Sequence, residues 1–376
     1  MKASHALYRE RRRFDGLDGV RAIAIIAVIW HHAPHPIILP MMTRGFFGVD
    51  LFFVLSGFLI STLLIREKAQ FGRISLKDFW MRRALRLMPA YYALLIGLLI
   101  VYSVFKPGDP DTAALQSGFP AYALYLSNWL HPGGPNLDPT WSLATEEQFY
   151  LVWPTVEAFA APAVLAGAWG ALFVVNQLIN FGVLDPAIST LFGIAGDNHP
   201  EILQTTFTPI LLGVGLAHLL HREKSFLRIM TLAGFRFAPA IYALALLLLL
   251  NIPAADISGP LRLFFHVAAT LFIASLIARP DSAVTRVLNS KPVAFVGAVS
   301  YGMYLYHLWC LHAARVFAAK LGLPEFPIVF LVGATLTVAV AAASYLIFEK
   351  RFLDLRRKFR KSERASPAPV AASQAL

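Results

Sequence analysis

Arg21 and His32 are the pair whose types and spacing first point to chemistry. At about 100° per residue, the eleven-residue step between them returns to within roughly 20° of one helix face. A helix over this stretch therefore carries a guanidinium and an imidazole on a single stripe, about 16 Å apart along the axis. His31, about 80° away from Arg21 on the same wheel, faces elsewhere. The stretch reads GVRAIAIIAVIWHHAPHPII over residues 19–38, apolar almost throughout and of spanning length. Ionisable groups in such a run are costly in lipid and face a bundle interior or a wet cavity, so both are candidates for function.

Other candidates sort by depth. Asp50, in RGFFGVDLFFVLSGFLI, falls about one turn inside the outer end of the second apolar run, level with His32. A carboxylate there orients the imidazole and raises its basicity, as in a catalytic dyad. The structural alternative is a helix cap or an ion pair with an arginine such as Arg44. Ser142 and Glu146, four residues apart in PTWSLATEEQFYLVWP with Glu147 beside them, share one helix face at the outer boundary. A plain helix entry accounts for the same residues, with Ser142 as N-cap and Trp141, Tyr150 and Trp153 as an interfacial belt.

On the inner side, Arg83 and Arg86 of FWMRRALRLMPAYY are i and i+3 neighbours, two planar forks suited to phosphate or pyrophosphate. Arg21 and Arg82 join them at that boundary, where topology and anionic lipid also favour basic residues. Ser300, Tyr304 and His307 form a polar stripe at i, i+4 and i+7 within SYGMYLYHLW, facing the same interior cavity or bonding between helices. Gly45, Gly48 and Gly57 fit close helix approach. His31, His32 and His35 suggest a metal only superficially, because Pro34 and Pro36 break their i, i+4 geometry. With no HExxH, P-loop, dinucleotide or paired-cysteine motif present, no metal is expected.

The elements that must position these groups are membrane helices. A 376-residue chain that is 57% hydrophobic and 15% charged, with a mean hydropathy of +0.60, is no ordinary soluble domain. Its net charge of +11 lies mainly in short segments between apolar runs, which argues for membrane orientation and against nucleic acid. The single cysteine, Cys310, leaves no internal disulfide. Apolar runs lie near 18–38, 46–65, 88–105, 146–161, 162–182, 203–221, 235–251, 260–278, 293–317 and 326–348. The expectation is an all-α, multi-pass bundle of about ten transmembrane helices in the cell (inner) membrane. A short apolar segment at 119–131 is re-entrant, interfacial or an eleventh span.

Loop charges alternate as the positive-inside rule requires. Inner segments hold Arg66, Lys68, Arg73, Lys77, Arg222, Lys224, Arg279, Arg286 and Lys291; outer ones hold Asp109, Asp111, Asp138, Asp185, Asp197, Glu201 and Asp256. Both termini are thus expected in the cytoplasm. Residues 1–17 form a leader, 18–350 the membrane domain, and 351–376 a basic tail too poor in apolar surface to fold.

In order, LDGVRAIAIIAVIWHH, GVDLFFVLSGFLIS, FWMRRALRLMPAYY, WSLATEEQFYLVWP and SYGMYLYHLW resemble the acyltransferase 3 family of membrane O-acyltransferases over residues 14 to about 350. The family's Arg/Lys-x10-His, Arg-x-x-Arg and Ser-x-x-x-Glu motifs fall on Arg21 and His32, Arg83 and Arg86, and Ser142 and Glu146. The resemblance implies transfer of an acyl group, commonly acetyl from acetyl-CoA, to a hydroxyl of a glycan, cell-wall polymer, glycolipid or macrolide. It implies acyl-CoA as co-substrate and no tightly bound cofactor. Some members carry an added SGNH-type esterase-like domain, absent from this chain. The expected mechanism has the inner arginines holding the CoA phosphates while His32, aided by Asp50 or Glu146, acts as general base or, failing that, accepts the acyl group itself. The alternative is a transporter or flippase whose buried charges line the path of an anionic substrate, although the two halves of the chain show no repeat.

Overall fold

The structure, a computed structural model, describes residues 4–11, 13–130, 132–192, 207–254, 258–356 and 359. Every regular element among them is helical. In chain order these are α1 (His5–Glu10), α2 (Leu17–His32), α3 (Phe47–Phe71), α4 (Leu76–Phe105), α5 (Pro110–Ala123), α6 (Ser127–Leu130), α7 (Thr140–Phe159), α8 (Pro162–Asn180) and α9 (Asp185–Phe192). There follow α10 (Phe207–His221), α11 (Glu223–Ala233), α12 (Ala238–Leu250), α13 (Pro260–Ala278), α14 (Ala283–Leu288), α15 (Lys291–Ala298), α16 (Ser300–Lys320) and α17 (Glu325–Ser344). A π-helical turn then leads into α18 (Lys350–Leu355).

Helix ends follow local chemistry. Pro110, Pro162 and Pro260 open their helices at the position where a missing N–H costs nothing. Gly72, at φ 70°, closes α3 in the left-handed region that glycine enters without strain. The first span is shorter than expected. It stops at His32, with Ala33 extended, because neither Pro34 nor Pro36 can continue the ladder to residue 38. The expected span at 293–317 is likewise two helices, α15 and α16, parted at Val299.

Among the described residues five helices, α3, α4, α8, α13 and α17 extended to Leu355, are long and apolar enough to cross a membrane by length and composition. The pair α11 and α12, bent by 69°, makes up to six. The other runs expected to span also contain helices. Of these, α2 has 16 residues and α10 has 15, while α7 carries Glu146, Glu147 and Glu157. Asp197, Glu201, Asp256 and nearly all of the tail beyond Leu355 lie outside the described residues.

The core is organised on α3, which packs against α2, α7, α10 and α13. Small residues allow the contact. A Cβ at Gly57 would collide with the Ile210 carbonyl of α10, one at Gly213 with the Val54 carbonyl of α3, and ones at Gly45 and Gly48 with Ala27 and Ala24 of α2. Arg44, 6% exposed, donates to the carbonyls of Leu250, Ile252 and Ala254 and so ties down the end of α12. At the other end, Tyr8 of the leader helix is fully buried beside His221 and Phe226, and Arg66 donates to the carbonyls of Tyr8 and Arg11.

A bulky residue at the α3–α10 crossing should force the helices apart. Gly213→Leu is expected to cost at least the ~1–3 kcal/mol of an overpacked core. Thermal unfolding of the detergent-purified variant, with loss of its monodisperse size-exclusion peak, is the check.

Candidate active site

His32 closes α2, and its Nδ1–H donates to the Val28 carbonyl one turn back at 2.9 Å. A carbonyl only accepts, so the proton is fixed on Nδ1 and the neutral ring's lone pair is on Nε2. That nitrogen has no hydrogen-bond partner among the described residues. The His307 ring lies 4.9 Å away, centroid to centroid. His307 has the same tautomer, its Nδ1–H donating to the Tyr304 carbonyl at 2.7 Å, and its Nε2 is buried without a partner. His31 turns aside, as the wheel requires, to the Thr43 carbonyl at 3.0 Å.

Beside the imidazoles, the hydroxyls of Ser142 and Tyr304 lie 2.7 Å apart, so that one donates to the other, which donates in turn to the Pro139 carbonyl 3.0 Å from each oxygen. Ser142 lies inside α7 and is not its N-cap; Pro139 holds that position. Tyr304, His307 and Thr140 line a small hollow with Leu94, Leu137 and Leu308.

Arg21, Arg83, Arg86 and Arg356 lie close enough for their charges to act on one another. Arg21 is held by Asp18 at 2.8 Å, and Arg82 by Glu67 at 3.3 Å. Arg83 and Arg86, half-buried, have neither a hydrogen bond nor an ion pair among the described residues. Arg83 instead lies over the rings of Phe79 and Tyr150, 5.6 and 5.4 Å from their centroids. The carboxylate fields that reach the pair are those of Glu146 and Glu147 at Arg83 and Glu349 at Arg86.

Two expected placements are corrected. Asp50 does not partner His32, nor Arg44. One oxygen of its carboxylate, 1% exposed, accepts from His266 Nε2 at 3.0 Å and from Arg262 at 3.3 Å, both on α13. The physical reason is the face it occupies. Asp50 lies on the side of α3 turned to α13, where Arg262 would otherwise be buried without a counter-charge. Glu146, expected level with His32, instead sits between Ser56, which donates to it at 2.6 Å, and Tyr150, which donates at 3.1 Å, in the field of Arg21 and Arg83.

A family model described as an acyltransferase domain, that of acyltransferase 3, matches residues 14–346. The chain belongs to the acyltransferase 3 family. It is 32% identical over 321 residues to the peptidoglycan O-acetyltransferase OatA of Listeria monocytogenes, covering 79% of this chain and 49% of that protein. It is 31% identical over 368 residues to the O-acetyltransferase OatA of Staphylococcus aureus, covering 90% of this chain and 57% of that protein. The chain thus spans about half the length of these curated relatives. No solved structure matches it.

Within this acyltransferase 3 chain the three motifs converge on one interior. The structure brings Arg21, Arg83 and Arg86 together, and separately His32, Ser142, Tyr304 and His307, with Glu146 beside the arginines and Asp50 apart. Sequence reasoning passed over Ser56, and read Tyr150 only as part of an interfacial belt. Ser56 stood in the quoted GVDLFFVLSGFLIS as a hydroxyl in an apolar run, the available signal. Asp138, counted only as an outer-loop charge, is close enough for its charge to act on His32.

If Asp50 serves Arg262 and His266, Asp50→Asn should leave a buried guanidinium uncompensated, at a cost of about 3–5 kcal/mol. A lower melting temperature and yield, with activity per folded molecule held within a few-fold, is the expected pattern. A large fall in kcat at unchanged stability would return Asp50 to the chemistry.

Proposed function

We propose that this chain is a membrane-bound O-acyltransferase that moves an acyl group, acetyl in the simplest case, from acyl-CoA to a hydroxyl of a cell-envelope glycan or glycolipid. Peptidoglycan, named for the Listeria relative, is one acceptor of that kind. The observation that carries the reading is a pair of half-buried guanidiniums with neither hydrogen bond nor ion pair among the described residues, on the interior that also holds a histidine whose Nε2 has no hydrogen-bond partner among them. Unpaired arginine forks in a low-dielectric interior suit a polyphosphate, and CoA has a pyrophosphate and a third phosphate. Bound acyl-CoA supplies the activated thioester.

In this reading, Arg83 and Arg86, aided by Arg21, bind the phosphates. Glu146, clamped by Ser56 and Tyr150, balances that cationic cluster and does not face the acceptor. His32 Nε2 takes the proton of the acceptor hydroxyl as its oxygen bonds to the acyl carbon, and returns it to the sulfur released when the carbon–sulfur bond breaks. The Val28 carbonyl keeps the proton-accepting nitrogen turned from the backbone throughout. Ser142 and Tyr304, already bonded to each other and to Pro139, shape the wall beside it.

The reading takes all ten apolar segments as membrane-crossing, with both termini in the cytoplasm, as the loop charges favour. That arrangement puts the arginines on the side where acyl-CoA is made. Ser373→Cys should then be shielded from a membrane-impermeant maleimide in intact cells and react after permeabilisation, with the native Cys310 silent because it is buried.

Detergent-purified protein with radiolabelled acetyl-CoA and a glycan acceptor is the direct test. His32→Ala should leave a folded protein with turnover reduced about 10²–10⁴-fold, the worth of a general base. Arg83→Ala should raise the KM for acetyl-CoA about tenfold or more, with a smaller effect on kcat. Retained turnover in the first variant, or unchanged acetyl-CoA affinity in the second, overturns the corresponding role.

A further inference from the structure

The segment after α17 folds back onto the arginine end of the bundle. α17 starts beside Trp30, whose ring lies 5.9 and 5.0 Å from those of Phe326 and Phe330, so it runs from the His32 end of the interior toward the arginines. The π-helical turn that follows, Tyr345–Glu349, packs on α4, and so does α18. Single π-turns are rare and recur at functional sites. Glu349, 7% exposed, accepts from Ser344 at 2.9 Å and lies in the field of Arg86. Arg356 is seven residues further on. Across α18, that step returns to within about 20° of the same helix face, roughly 10 Å deeper toward the arginine end. Beyond it, the Phe359 carbonyl accepts from Arg82 at 3.2 Å. The chain is therefore fixed to α4 on both sides of Arg356, whose half-buried side chain lies close enough for its charge to act on Arg83 and Arg86.

Depth orders these cations. On α4, Arg83 lies about 4.5 Å beyond Arg86, measured away from His32, and the helical step from Glu349 puts Arg356 about 5 Å beyond Arg83. CoA has a matching order: the thioester, the pantetheine arm, the pyrophosphate and, at the far end, the 3′-phosphate on the ribose. Arg83 and Arg86 give two forks for the two phosphates of the pyrophosphate. The third phosphate, a monoester with about −1.5 to −2 charge, needs a cation of its own. Arg21 is already matched by Asp18, and Arg82 by Glu67 and the Phe359 carbonyl. We infer that Arg356, carried by the C-terminal segment, binds the 3′-phosphate of the acyl donor and makes the site select CoA over donors that end at the pyrophosphate. The inference rests on the O-acyltransferase reading and deepens it. An anionic lipid headgroup offers the same phosphate chemistry at this boundary, so the experiment separates the two sources.

The test is calorimetric titration of the full chain, in a nonionic detergent, with CoA and with 3′-dephospho-CoA. The wild-type chain should bind CoA about tenfold or more tightly than the dephospho form, the worth of a charge-assisted contact. Arg356→Gln should weaken CoA to the dephospho level and leave dephospho-CoA unchanged. A merely structural role would move both ligands together. Arg356→Lys should keep part of the preference, and it carries the comparison if the glutamine variant does not fold. Arg351→Gln, exposed on the same segment, should leave both affinities as they are. Equal wild-type affinity for the two ligands, or equal weakening of both by Arg356→Gln, overturns the inference. So does a variant that binds CoA normally in detergent but loses a rise in melting temperature given to the wild-type chain by phosphatidic acid in nanodiscs, which would assign Arg356 to lipid. If the wild-type chain binds neither nucleotide, the acyl-CoA reading itself fails.

Discussion

An arginine in an apolar bundle must be paired, solvated or waiting for a ligand. The cost of leaving a guanidinium bare in a low dielectric exceeds what packing against aromatic rings returns. This chain answers the demand in three ways. Arg262 takes Asp50, Arg44 takes three backbone carbonyls, and Arg66 takes the carbonyls of the N-terminal helix. Among the described residues, Arg83 and Arg86 are given neither an ion pair nor a carbonyl. The contrast within one molecule gives the pair its meaning. A fold that closes off so many cations elsewhere leaves two open where three motif residues meet.

Much of this was legible in the sequence, because a membrane makes polar residues conspicuous. The eleven-residue step from Arg21 to His32 and the three-residue step from Arg83 to Arg86 needed only helix geometry, and both pairs lie on single helices. The packing glycines were readable for the same reason, and Gly45, Gly48 and Gly57 each face a neighbouring backbone. Depth along one helix is a one-dimensional quantity that sequence reports well.

Azimuth between helices is not. Asp50 and Glu146 were misplaced because depth alone does not say which neighbour a side chain meets. Asp50 shares the level of His32 but faces α13, and its partners come from more than 200 positions away, His266 at a separation of 216. Glu146 sits one turn beyond Ser142 on α7, yet the two serve different ends of the interior, one on Ser56 and the other on Tyr304. No periodicity within α7 could have assigned those partners, since they belong to α3 and α16.

With Asp50 turned to α13, the group that orients the His32 ring is a backbone carbonyl. A carboxylate on Nδ1 would stabilise the imidazolium, but it would also add a buried negative charge that must itself be compensated in the bundle. A backbone carbonyl fixes the same tautomer with a dipole and adds no buried charge, and in the neutral ring Nε2 is the acceptor. The Val28 carbonyl lies one turn before His32 and has a second lone pair for the ring N–H, and the helix ends at His32 because Pro34 follows. The helix stops at His32, and the turn before it supplies the orientation that a charged partner would otherwise have to provide.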